Sequence, residues 1–213
     1  MVSKFKTIRI ARRDLPLAGG TMTGAVDMGN NSIKNFPFLK PQVGNNVTGQ
    51  LVISRTTGAL VANTLYALPF WVVQNCQITS SRVIVDTTGG AGNGRLGIYK
   101  SLNLDRLDTP SGGALVSDFG TVSAATTGVK PIASLTVNLT PGWHYLAMVV
   151  DNATPTWYTV LSCLAGVLTD FGGAAVYGWS VAFTYAALPD PFTTGAATTS
   201  TMPIIGVVIG SYS

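Results

Sequence analysis

An all-β fold is predicted by three features of the sequence: the absence of Glu, the scarcity of charge, and a series of short apolar segments cut by turn residues. All nine acidic residues are Asp, and DEKR residues make up only 10% of the chain, against about 25% in an average soluble domain. Glu and Lys dress the solvent face of most amphipathic helices, so their scarcity argues against a helical protein. A hydrophobic content of 46% excludes general disorder. No stretch approaches the roughly 18 consecutive apolar residues of a membrane span, so no membrane insertion is expected. The 213 residues suit one large domain or two small ones.

Three zones follow one another. Residues 1–14 form a basic extended arm in which Lys4, Lys6, Arg9, Arg12 and Arg13 stand with no acid before Asp14. Residues 14–213 hold eight bases and nine acids, so the body is close to neutral. Such an arm reads as an anchor for an acidic protein surface or nucleic acid, or as a solvated terminus. The interspersed Val2, Phe5, Ile8 and Ile10 favour the anchor. No apolar h-region follows the charges, so it is not a secretion signal.

Residues 15–50 are dense in Gly, Asn and Pro, with isolated apolar positions at Met22, Val26, Met28, Ile33 and Phe36. The zone is too interrupted for helix and too poor in apolar residues to close a core alone. Three copies wound round an axis, with Met22, Val26, Met28 and Ile33 facing inward, would order it as a short intertwined β collar. The other reading is a flexible linker.

Residues 51–213 read as an antiparallel, jelly-roll-like β-sandwich. Strands are expected at 51–55, 65–73, 77–87, 95–101, 114–123, 130–139, 144–151, 176–185 and 203–211. Several alternate with period two, and Gly, Pro and Asn punctuate them. Asn93-Gly94 signals a hairpin with a tight primed turn. One segment disagrees: Trp157, Val160, Leu161, Leu164, Val167, Leu168 and Phe171 follow a helical face, so residues 154–173 read as a short helix or a packed loop.

Chemistry is sparse. His144 is the single histidine, in a strand-like run, and no nucleophile elbow, HExxH pair or Walker lysine motif is present. Gly92, Gly94 and Gly97 fit GxGxxG, but a strand rather than a phosphate-holding helix is expected after them. Asp105 and Asp108 lack the oxygen-rich spacing of a calcium loop. Cys76 and Cys163 offer neither a disulfide framework nor a zinc ligand count and read as buried thiols. The sequons at Asn30, Asn46, Asn138 and Asn152 carry no weight by themselves. No catalytic residue, metal or cofactor is nominated, and the chain does not read as an enzyme. Specific nucleic-acid recognition lacks support on the body, because basic and aromatic residues are not interleaved there.

Among the four tryptophans, Trp71, Trp143 and Trp179 lie in strand-like runs and read as core. Trp157 and Tyr158, beside a Pro-containing loop, are the candidates for a glycan contact if the chain is a carbohydrate-binding module.

The stretch LPLAGGTMTGAVDMGNNSIKNF (residues 15–36) resembles a motif of bacteriophage tail-fibre and related proteins, LPLxGGTMTG followed by DMGxxxIxN. The body resembles a domain of phage fibre and other virion proteins in RLGIY (95–99), GTVS (120–123), LTPGWHYLA (139–147) and YAALPDPF (185–192). The resemblance implies a homotrimeric fibre on the virion surface, assembled in the host bacterial cytoplasm and mediating host attachment. Its partners would be capsid, connector or tail proteins through the arm, and a host glycan or protein outward. Long tail fibres usually begin with a sizeable attachment domain, where this chain has a basic peptide. A head fibre or capsid-decoration protein therefore stands beside the tail-fibre reading.

Overall fold

Short runs of β-branched and aromatic residues, each ended by Gly, Pro or Asn, become thirteen strands, with no helix among the described residues. The computed structural model describes residues 41–48, 52–105, 107–163 and 177–213, all within the unit Pro37–Ser213. The arm residues Lys4, Lys6, Arg9, Arg12 and Arg13 and the collar residues Met22, Val26, Met28 and Ile33 lie outside the described residues.

In chain order the strands are β1 (Asn46–Thr48), β2 (Val52–Ala59), β3 (Thr64–Val72), β4 (Cys76–Thr87), β5 (Asn93–Lys100) and β6 (Leu115–Ser123). They continue as β7 (Gly128–Ile132), β8 (Val137–Leu139), β9 (Gly142–Val150), β10 (Thr156–Cys163), β11 (Gly178–Ala182), β12 (Ala197–Thr199) and β13 (Gly206–Tyr212). They build two antiparallel sheets. The first has the order β1-β13-β4-β10-β2, with β7 and β8 along the other side of β4. The second has the order β12-β11-β3-β9-β5-β6.

One core lies between the sheets. Tyr66, Leu68, Phe70 and Val72 of β3 and Leu146, Met148 and Val150 of β9 meet Ile78, Val83, Val85, Val207 and Ile209 of the other sheet. The alternate residues of the same strands, Leu65, Ala67, Tyr145, Ala147 and Val149, enter a second cluster on the far side of the second sheet. Except at Trp71 and Trp143, both faces of β3 and β9 are therefore largely dry, which explains their nearly continuous apolar sequence.

The cover over that far side is made of loops. Leu188 and Phe192 lie against Tyr99, Tyr145 and Trp179. The Tyr99 and Phe192 rings meet edge-on at 4.9 Å, and the Tyr99 hydroxyl donates to the Pro189 carbonyl at 2.8 Å. Asp118 anchors the cover: its carboxylate accepts from Arg95 Nε at 2.7 Å, from the Gly120 amide at 2.9 Å and from the Leu188 amide at 3.1 Å. The segment YAALPDPF is thus a lid over an aromatic cluster.

Four sequence expectations change here. Asn93-Gly94 is not a turn, since both residues belong to β5, and β4 and β5 lie in different sheets. The link between them carries its positive φ at Gly90, at +88°. Gly94 is needed for space: a Cβ there would stand 2.6 Å from Met148 Cε and 3.2 Å from Trp157 Cη2. The helix of residues 154–173 is overturned over its described part, because β10 pairs with β2 from Thr156 to Cys163; residues 164–173 lie outside the described residues. Thr159 and Val160 are buried in succession, with Thr159 bridging Pro203, and this broken alternation mimicked a helical face. The strand expected at 130–139 is two strands, β7 and β8, separated at Ser134 with φ +59°. Finally, Asn46–Thr48, grouped with the collar by composition, pairs with β13 in the body.

Candidate functional site

The few groups able to do acid–base or nucleophilic chemistry are mostly in structural positions. His144 is on the inward face of β9, 1% exposed, with Nδ1 3.1 Å from the Gly142 carbonyl. Burial holds its pKa below the ordinary histidine value; the Gly142 contact opposes this and the nearby Lys100 charge adds to it. Cys76 is buried at the start of β4, and desolvation pushes its thiol up to about 11, so it stays protonated at neutral pH. Cys163 ends β10.

Most of the described aspartates accept hydrogen bonds from backbone or side-chain partners. Asp151 accepts from Asn93, and Asp86 accepts from the Thr156 hydroxyl at 3.3 Å. Asp190 accepts from the Leu115 amide at 3.0 Å, and Asp108 accepts from the Thr109 amide at 2.9 Å. Asp105 is exposed, its amide donating to Asn103 Oδ1 at 3.0 Å. Among the described residues, no three His, Cys, Asp or Glu side chains converge to hold a metal ion. Among them too, no helix is long and apolar enough to cross a membrane.

The aromatic residues are distributed otherwise than the sequence predicts. Trp157 is 1% exposed and sits in the core between the sheets, so its ring cannot stack on a sugar. A residue next to a Pro-containing loop looked superficial, yet β10 carries Trp157 into register with Val85, on the inward face. Tyr158 is half-buried, with the Arg55 guanidinium 4.6 Å above its ring. Trp179 is buried beneath the loop cover, edge-on to Tyr145 at 5.6 Å. Trp71, read as core, is instead 43% exposed. It stands opposite Trp143 across β3 and β9, with ring centroids 5.0 Å apart and a tilt of 59°.

One end of the body gathers the remaining features. The chain enters there from residue 41: the Tyr212 hydroxyl donates to the Pro41 carbonyl at 2.7 Å, and the Gly44 amide donates to the Ile209 carbonyl at 2.9 Å. At the same end β8, β4 and β13 finish side by side, with Gln77 paired to both Asn138 and Ser211. A cavity of about 360 Å³ opens over these strand ends, lined by Asn75, Gln77, Asn138, Leu139, Thr140 and Ser211 among others. Asn75, Gln77 and Ser211 did not stand out in the sequence, because scattered Asn, Gln and Ser carry no motif until strand register brings them beside Asn138, which appeared only as a sequon.

No protein-family model matches the chain, and no curated protein matches it. What the structure defines is a class: an all-β protein of two antiparallel sheets with one aromatic-lined outer face closed by its own loops.

Proposed function

We propose that the chain is a bacteriophage virion-surface fibre protein: a homotrimer held to the particle by residues 1–14, joined through a collar at 15–50 to a jelly-roll-like β-sandwich head that mediates attachment to the host cell. One observation carries the reading. The fibre-like stretch at residues 15–36 precedes a β body that, among the described residues, has its own core between two sheets and a loop cover over the outer face of one of them. The chain passes into that body at one end, past Pro41, which suits a head displayed on a stalk. The low charge of the body and the isolated Met, Val and Ile residues of the collar fit packing among identical chains. Weak contacts repeated by threefold display would supply avidity.

The arm suits a capsid or a connector as well as a tail, so a head fibre or capsid-decoration protein is the second form of the same reading. Its specific support is the five positive charges within the first thirteen residues. Immunogold labelling of intact particles distinguishes the two, as label falls on the tail or on the head. Deleting residues 1–14 is expected to leave the oligomer intact and to abolish incorporation into particles; normal incorporation would refute the anchor. Replacing Met22, Val26 and Met28 with Asp brings like charges together near the axis and is expected to dissociate the trimer, read by sedimentation.

A further inference from the structure

We infer that Asn93 is a modification site, whose side-chain amide is lost through attack by Gly94 when the corner between β5 and β9 opens. The Asp151 clamp holds it unreacted while the body is closed. The inference goes beyond the fibre reading and does not depend on it. Asn93-Gly94 is the one Asn-Gly pair in the sequence, and a glycine leaves the backbone nitrogen after an asparagine unshielded by any side chain. The deprotonated Gly94 nitrogen attacks Asn93 Cγ, and the new C–N bond closes a five-membered imide. The Cγ–Nδ2 bond breaks, and Nδ2 leaves as ammonia, taking up the equivalent of the proton lost from Gly94. Water then opens the imide at either carbonyl, leaving aspartate or isoaspartate at position 93.

Three features of the closed body oppose that ring closure. Ring closure needs the backbone at Asn93 turned, whereas a strand is extended, and Gly94 is fixed in register with Val122 of β6 and Val150 of β9. The side chain is tethered as well, because Asn93 Nδ2 donates to Asp151 Oδ2 at 2.8 Å while the Asn93 amide donates to Oδ1 at 2.6 Å. Bonds to a carboxylate are stronger than neutral ones. Gly94 also lies so close to Met148 and Trp157 that a Cβ would meet Met148 Cε at 2.6 Å. The corner therefore turns only when core contacts are given up, and the reaction waits on local opening. Once it has happened, the corner cannot close as before. A carboxylate at position 93 sets like charge against Asp151 where an amide donor stood. Isoaspartate lengthens the main chain and breaks the register of β5.

The test incubates the full-length protein at mildly alkaline pH, folded or unfolded in guanidinium chloride, and follows each asparagine peptide by mass spectrometry, with isoaspartate as the diagnostic product. In the unfolded chain Asn93 is expected to convert faster than any other asparagine. In the folded protein it is expected to convert at least about tenfold more slowly. Asp151→Ala, shown to be folded by circular dichroism, is expected to raise the folded rate about five- to a hundredfold through loss of the clamp. Asp151→Asn keeps one acceptor and is expected to raise it by a smaller factor, which preserves the test if the alanine variant does not fold. Asn93→Asp, which copies the product, is expected to melt at a lower temperature than wild type. Equal rates in folded and unfolded wild type would overturn the inference. So would folded Asp151 variants that convert no faster than wild type, because strand geometry alone would then protect Asn93.

Discussion

Asp151 clamps Asn93 through its whole carboxylate: Oδ1 accepts the Asn93 amide at 2.6 Å and Oδ2 accepts Asn93 Nδ2 at 2.8 Å. The Asp151 amide returns a bond to the Asn93 carbonyl at 3.2 Å. The pair joins the end of β9 to the start of β5, where the chain has just crossed from one sheet to the other. Asp151→Ala leaves the partly buried Asn93 donors without their acceptor and is expected to cost about 1–3 kcal/mol. Urea denaturation with an unchanged slope would measure it, and a change under about 0.5 kcal/mol, the scale of an ordinary surface substitution, would show the clamp to be idle.

Gly97 is expected to resist substitution although its backbone is ordinary extended strand. A Cβ there would stand 2.7 Å from the Ser117 carbonyl oxygen and would collide with Leu188 of the loop cover. Gly97→Ala is therefore expected to destabilise by about 1–3 kcal/mol, the usual cost of overpacking. Crystallography or amide exchange would show residues 185–192 lifted first, since backbone in β6 yields less easily than a loop.

The tryptophans separate by burial. Trp157→Ala empties the core between the sheets and is expected to cost about 3–5 kcal/mol, whereas Trp71→Ala, at a ring 43% exposed, is expected to cost far less. Trp157 Nε1 is buried without a hydrogen-bond partner. Trp157→Phe, which removes that orphan donor, is accordingly expected to be much milder than Trp157→Ala. Thermal denaturation of the three variants checks the order, and equal losses at Trp71 and Trp157 would contradict it.

Acid sensitivity is expected from His144. Its folded pKa lies below the unfolded value of about 6.5, so the unfolded chain binds the proton first as pH falls. Stability is then greatest above about pH 6.5, declines as pH drops below it, and stops declining on this account once pH is under the folded pKa. His144→Leu removes the group, so the stability difference between wild type and variant is expected to shift in the variant's favour between pH 7.5 and 5.5. A difference independent of pH would show that the ring does not titrate on unfolding.

Much of the body was legible without coordinates. The segments at 65–73, 77–87, 95–101, 114–123 and 144–151 became β3, β4, β5, β6 and β9, because β-branched residues, period-two burial and terminal Gly or Pro act locally. β10 was not legible, because its consecutive buried residues reflect neighbours brought from residues 202–204. Nor could composition tell which tryptophans would be dry, since the same residue type serves the core at Trp157 and the surface at Trp71.

The amino-acid sequence by itself determined the class of secondary structure, the strand segments and the placement of charge, all of which depend on residues close together in the chain. Only the tertiary structure decided the pairing of strands, the sheet on which each lies and the face to which each side chain points. Those depend on contacts between residues such as Gln77 and Asn138, 61 positions apart, whose register no local pattern specifies. The grouping of Gln77, Asn138 and Ser211 at one end of the body belongs to that second kind of information.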